Sequence, residues 1–81
     1  MIEPKFKVGD IIVSKVGTFD HIAAFAKRII SINYEENHYV TQYVDDLLAD
    51  KNAWSNIWSI KLLENNHVLI YEQEYLIRFR L

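Results

Sequence analysis

Two stretches of the chain carry the residue types of a polar site. Glu35-Glu36-Asn37-His38 and Glu64-Asn65-Asn66-His67 each bring carboxylate, amide and imidazole together ahead of a β-branched and aromatic run. Imidazole and carboxylate suit zinc, and both serve acid–base catalysis. The spacing argues against either use. His21, His38 and His67 form no His-x-His or His-x₃-His pair, so three separate loops would have to converge on one ion. The acidic pairs are Glu35/Glu36, Asp45/Asp46 and Glu72/Glu74. Adjacent residues in a strand point to opposite faces, so Glu35/Glu36 and Asp45/Asp46 do not readily pair. Glu35-Glu36 reads better as a solvated turn and Asp45-Asp46 as a helix start. Ser14, Ser31, Ser55 and Ser59 lie in no nucleophile-elbow sequence, and no glycine-rich phosphate loop is present. With no cysteine, disulfides, thiolate metal sites and thiol nucleophiles are excluded. The expectation is a non-enzymatic chain with no metal and no cofactor.

The elements that position these residues must fit in 81 residues, one domain spanning 1–81. Half the residues are apolar, and two Trp, five Tyr and four Phe supply area that a small core needs. The net charge of −2 is scattered, which gives no concentrated field for non-specific nucleic-acid binding and too few carboxylates for a nucleic-acid mimic. The opening Met1–Lys5 does not read as a signal peptide, and the apolar runs are far short of the roughly 20 residues of a membrane helix. A cytoplasmic protein with no membrane association is expected.

Gly9-Asp10 punctuates the chain and Ile11-Ile12-Val13 follows, which predicts a strand over about 10–14. Residues 18–24 read as a loop or short turn that Asp20 could cap, before a strand over about 25–34. Period two groups Ile30, Ile32 and Tyr34 against Ile29, Ser31 and Asn33. Glu35-Glu36-Asn37 is then a hairpin connection with Asn37 left-handed, and His38 begins the return strand through Val44. Asp45–Trp54 changes to helical spacing, predicting a helix over about 46–54 ended by Ser55-Asn56. The second Glu-Asn-Asn-His stretch repeats the hairpin grammar, with Asn66 left-handed and His67 opening a strand. Tyr75, Ile77 and Phe79 alternate with Leu76, Arg78 and Arg80, which predicts a final edge strand. Short strands at this spacing imply a mainly β fold: a small barrel of five to six antiparallel strands with one short helical insertion.

The segments Phe6–Val13, Arg28–Tyr43 and Trp58–Ile70 resemble small SH3-like barrel proteins of phages and mobile elements. Those open on Phe-Lys-x-Gly-Asp-x-Ile-Val and continue with an Ile-x-x-Ile strand and a Tyr-rich return strand. The opening is more distantly similar to KOW and CarD-type domains. The resemblance implies an SH3-like barrel and implies no chemistry. It also has departures: Thr18–Ala26 lacks the Gly-x-Gly that follows the first strand in KOW and CarD-type domains, Asp45–Asn56 is long, and Tyr75–Leu81 is additional.

Two interaction sets follow. Trp54, Ile57 and Trp58, with the tryptophans at i, i+4 of a helix, join Tyr39 and Tyr43 of the aromatic strand as candidate protein-binding residues. Lys5, Lys7, Lys27, Arg28 and Arg78 are the alternative, a basic strand face for nucleic acid. The resemblance makes the partner a host protein inside a bacterial cell, bound and occluded as an anti-CRISPR-like inhibitor of a defence system binds its target. A homodimer is the further possibility.

Overall fold

The computed structural model describes residues 3–45 and 54–80. Among the described residues it is a small mainly β domain: one five-stranded antiparallel sheet with three short helices around it. In chain order these are β1 (Ile11–Ser14), α1 (Phe19–Ala24), β2 (Lys27–Asn33), β3 (His38–Tyr43), β4 (Asn56–Ser59), α2 (Ile60–Asn66), β5 (His67–Ile70) and α3 (Glu72–Arg80). The strand order is β4-β3-β2-β1-β5. The sheet is open: β4 and β5 are its edges, and no strand pairing joins them among the described residues.

Strand β1 shows why the chain needs both sheet faces. Its approach turn is locked by Asp10, whose N–H donates to the Lys7 carbonyl at 3.0 Å while its carboxylate accepts from Lys7 N–H at 2.8 Å. Gly9 takes φ 94° there, a conformation that L side chains avoid. The strand then pairs on both sides, Ile12 lying opposite Lys27 of β2 and Leu69 of β5. Ile12 packs with Phe6, Ile29, Tyr39, Ile60 and Leu63 on one face. Ile11 and Val13 pack with Ala26, Val44, Ile70 and Tyr75 on the other. A strand buried on both faces has no polar position, which is why Ile11-Ile12-Val13 reads as an unbroken apolar run.

The first hairpin forms as its residues dictate. Asn37 has φ 56° and Asn33 Oδ1 accepts from Glu36 N–H at 3.0 Å. Strict alternation in β2 fails, however. The register shifts between Ile29 and Ser31, leaving Ile30 as an extra residue in a bulge. Ile29 and Ile32 therefore face the same core, and Ile30 and Tyr34 are exposed.

Three expectations are corrected. Thr18, not Asp20, caps α1, its Oγ1 accepting from His21 N–H at 3.2 Å. The residues before His67 form helix α2, not a hairpin strand. Ser59 Oγ accepts from Leu62 N–H, Ile60 and Leu63 bury one face at i, i+3, and Asn66 ends the helix with Nδ2 donating to Leu62 O at 2.9 Å. Asn66 is thus helical; among described non-glycine residues Asn37 is the one with positive φ. The final segment is helix α3, not an edge strand. Tyr75 and Phe79 at i, i+4 pack inward while Ile77 is exposed, Glu72 and Glu74 sit in the first turn, and Glu74 pairs with Arg78 at 3.3 Å. The helix expected over 46–54 lies outside the described residues, except Trp54, which is irregular.

Candidate functional site

The expected protein-binding residues divide between the outside and the inside of the molecule. Trp54 precedes edge strand β4 with 83% of its surface exposed, and Ile57 within β4 is 67% exposed. Trp58 is half-buried. It lies opposite Tyr39 of β3, and its indole Nε1 donates to Thr41 Oγ1 at 2.9 Å. The tryptophans therefore do not share a helix face; a strand holds the second, and it points inward.

Tyr39 is fully buried and has no surface to offer a partner. Its alternation with Thr41 puts both on the core face of β3. The Tyr39 hydroxyl donates to Glu64 Oε2 at 2.6 Å and accepts from Phe6 N–H at 3.1 Å. Glu64 Oε2 also accepts from Lys5 N–H at 2.7 Å, so this group straps the N-terminal segment to α2. Burial first, then the Glu64 carboxylate, pushes the Tyr39 phenol well above its ordinary range. Tyr43 is half-buried, edge-on to Phe25 with ring centroids 5.7 Å apart.

Lys27 is the largest departure from the expected basic face. Only 5% of it is exposed. In β2 it lies two residues before Ile29, so both project to the buried face. Its Nζ lies 3.0 Å from His67 Nε2, donates to the Phe25 carbonyl at 3.1 Å, and stands over the Tyr43 and Trp58 rings at 5.6 and 5.3 Å. His67 Nδ1 is 3.1 Å from the Leu63 carbonyl, which can only accept, so Nδ1 carries the proton and Nε2 accepts from the ammonium. Desolvation lowers the Lys27 pKa. Desolvation and then the Lys27 charge lower that of His67. The signal was in the sequence: a lysine at even spacing from Ile29, in a strand between Ala26 and Ile30.

The remaining bases do not assemble into a free cationic stripe. Arg28 donates to Glu72 Oε1 at 2.6 Å and to the Gly9 carbonyl at 3.0 Å. Arg78 pairs with Glu74 and lies over the Phe79 ring. Lys5 and Lys7 are exposed on the N-terminal segment.

His21 stacks on Phe25, His38 starts β3 and His67 is buried, and no cluster of three His, Cys, Asp or Glu converges among the described residues. A groove of about 320 Å³ between α1, β1 and α3 has an apolar floor that includes Val13, Ile22 and Phe79, with Ser14, Lys15 and Arg78 at its rim. Neither carboxylate nor imidazole lines it, so it has no acid–base pair. Among the described residues, no helix is long and apolar enough to cross a membrane.

Compared with protein-family models, with curated proteins and with solved structures, the chain has no match. Its own residues and their geometry carry the functional reading.

Proposed function

We propose that this chain is a non-enzymatic protein-interaction module with an SH3-like strand arrangement, and that it binds its partner through the Trp54–Ile57 edge. One observation carries the reading: a tryptophan with 83% of its surface exposed, three residues before an exposed isoleucine, at an edge of the sheet that no further strand pairs among the described residues. Tryptophan is costly to leave in water and is the side chain most enriched among residues that dominate binding energy. The strand order, with a helical segment between β4 and β5, supports the SH3-like reading. The resemblance to phage and mobile-element proteins makes a protein of the bacterial host the partner class to search, a defence component first. Nucleic acid is disfavoured, because Lys27 is buried and Arg28 and Arg78 are each held by a glutamate.

The experiment is capture from a bacterial lysate by the tagged chain, with and without nuclease, against the Trp54→Ala variant. A stoichiometric protein should survive nuclease and be lost with Trp54→Ala, whose binding should weaken by about 2 kcal/mol. Recovery that vanishes with nuclease, or that ignores Trp54, overturns the reading.

A further inference from the structure

The groove between α1, β1 and α3 has an apolar floor and an apolar wall. Val13 ends the buried run of β1, and Ile22 of α1 and Phe79 of α3 pack against the same core cluster. Phe19, three residues before Ile22 on one helix face, rests on Phe79 with ring centroids 4.9 Å apart. Val68 of β5 lies opposite Val13 in the ladder. Phe19 and Val68 both line the groove and both are exposed, so the wall meets water. This groove stands at the β1–β5 end of the strand order, and β4, which Trp54 precedes, is at the other end.

The charged rim of the groove has one sign. Ser14 uses its hydroxyl locally: Oγ donates to the Val16 carbonyl at 2.8 Å and accepts from Val16 N–H at 3.3 Å. Lys15 and Arg78 remain, and both are exposed. Among the described residues no carboxylate pairs with the Lys15 ammonium. Arg78 pairs with Glu74 at 3.3 Å, an exposed i,i+4 contact of the kind that binds weakly. No acid lines the groove, although acids outnumber bases in the chain by eleven to nine.

These features discriminate between ligand classes. A cation is opposed by both rim charges, and a neutral polar molecule meets no carboxylate and no uncommitted hydroxyl. A neutral apolar molecule leaves the charges unused. A molecule with an apolar body and a carboxylate uses the floor and the rim together. At roughly 30 Å³ per non-hydrogen group, the share a water takes in the liquid, a groove of about 320 Å³ holds about ten such groups. That is one short aliphatic chain with its carboxylate, and too little for a stretch of peptide backbone with its side chains. The geometry points to a binding site for a medium-chain carboxylate of about eight carbons, its chain over Val13, Ile22 and Phe79 and its head at the Lys15 and Arg78 rim. The site is independent of the Trp54–Ile57 edge.

Titration of the whole chain with octanoate, followed by amide NMR shifts, tests it against octanol, octylammonium and acetate. Octanoate should shift Val13, Ile22, Val68 and Phe79 saturably at millimolar concentration. Octanol and octylammonium should bind more weakly, and acetate should move nothing in the groove. Lys15→Gln and Arg78→Gln together should weaken octanoate by about fivefold and leave octanol unchanged. If that double variant unfolds, salt decides on the wild-type chain: raising it from about 0.02 M to about 0.5 M should weaken octanoate and spare octanol. Octanoate that leaves the groove unshifted, octanol or octylammonium that binds as tightly, or an affinity that ignores the rim charges overturns the inference. A Glu-Leu-Glu peptide that binds there more tightly than octanoate overturns it in favour of a protein partner. Groove shifts that grow on concentrating the chain alone overturn it in favour of a second copy.

Discussion

Lys27 Nζ and His67 Nε2 lie 3.0 Å apart inside the molecule, two basic groups sharing one hydrogen between Tyr43 and Trp58. The groups facing the pair come from every side: the Phe25 carbonyl ahead of β2, the Leu63 carbonyl of α2, the Tyr43 ring of β3 and the Trp58 ring of β4. None is a carboxylate, so a second positive charge meets no counter-ion among the described residues. The arrangement requires His67 neutral.

The pH dependence follows in sign. The His67 pKa is depressed in the fold, by desolvation and then by Lys27, from the ordinary 6.5. A depressed basic group contributes stability that is fully present above 6.5 and is lost as pH falls from there toward its folded value. Urea midpoints should therefore drop between pH 7 and 5.5. His67→Leu should flatten that slope. Lys27→Met should reduce it without abolishing it, because desolvation remains. A wild-type midpoint constant across this window would contradict the buried pair.

Tyr39 joins three segments through one hydroxyl. Tyr39→Phe strands the Phe6 N–H in a buried position and releases Glu64. The cost should be about 1–3 kcal/mol in urea unfolding. Exchange of the Lys5 and Phe6 amides should accelerate more than that of β1, since the strap holds the N-terminal segment. Because the Tyr39 phenol is raised from 10.0, its contribution is present below that pH and is lost as pH rises above it. The gap between wild type and Tyr39→Phe should narrow accordingly in alkali.

The two Glu-x-Asn-His stretches predict opposite responses to one substitution. Asn37 is left-handed at φ 56°, where a Cβ without a polar tip is disfavoured, so Asn37→Ala should cost about 1 kcal/mol. Asn37→Gly should be close to neutral. Asn66 ends α2, so Asn66→Ala should be neutral or slightly stabilising, alanine being the better helix former. Equal losses from both alanine variants would mean that the two stretches are one kind of turn after all.

What could be read from the chain divides along the same line. Strand β1, the first hairpin and the left-handed Asn37 were legible because their signals are local: a glycine turn, a β-branched run, an asparagine between two strands. The similar letters before His67 mislead because Ser59 caps a helix whose Ile60 and Leu63 bury against β3 and Phe6, a tertiary gain that outweighs the turn signal. The alternation in Tyr75–Arg80 misleads in the same way. Tyr75 and Phe79 fit one helix face as well as one strand face, and packing beside Phe19 and Ile22 decides for the helix. Lys27 was taken for surface because it is a lysine, although its position in β2 places it with Ile29. The bulge at Ile30 leaves no mark in a run of β-formers.

The two tryptophans make the sharpest contrast, since their sequence spacing presents them as a pair. Trp58 lies against Lys27 and is anchored to Thr41, packed against the core that holds Phe6, Ile12 and Tyr39. Trp58→Ala should cost about 3 kcal/mol or more, the usual price of removing a large aromatic from a packed position. It also leaves the buried Thr41 hydroxyl without its donor. Trp54→Ala removes a side chain that is mostly in water and should shift stability by no more than about 0.5 kcal/mol. Measured by urea unfolding of both variants, unequal losses in this order leave Trp54 free for binding. A large loss from Trp54→Ala would make that residue part of the core and remove the basis of the interaction surface.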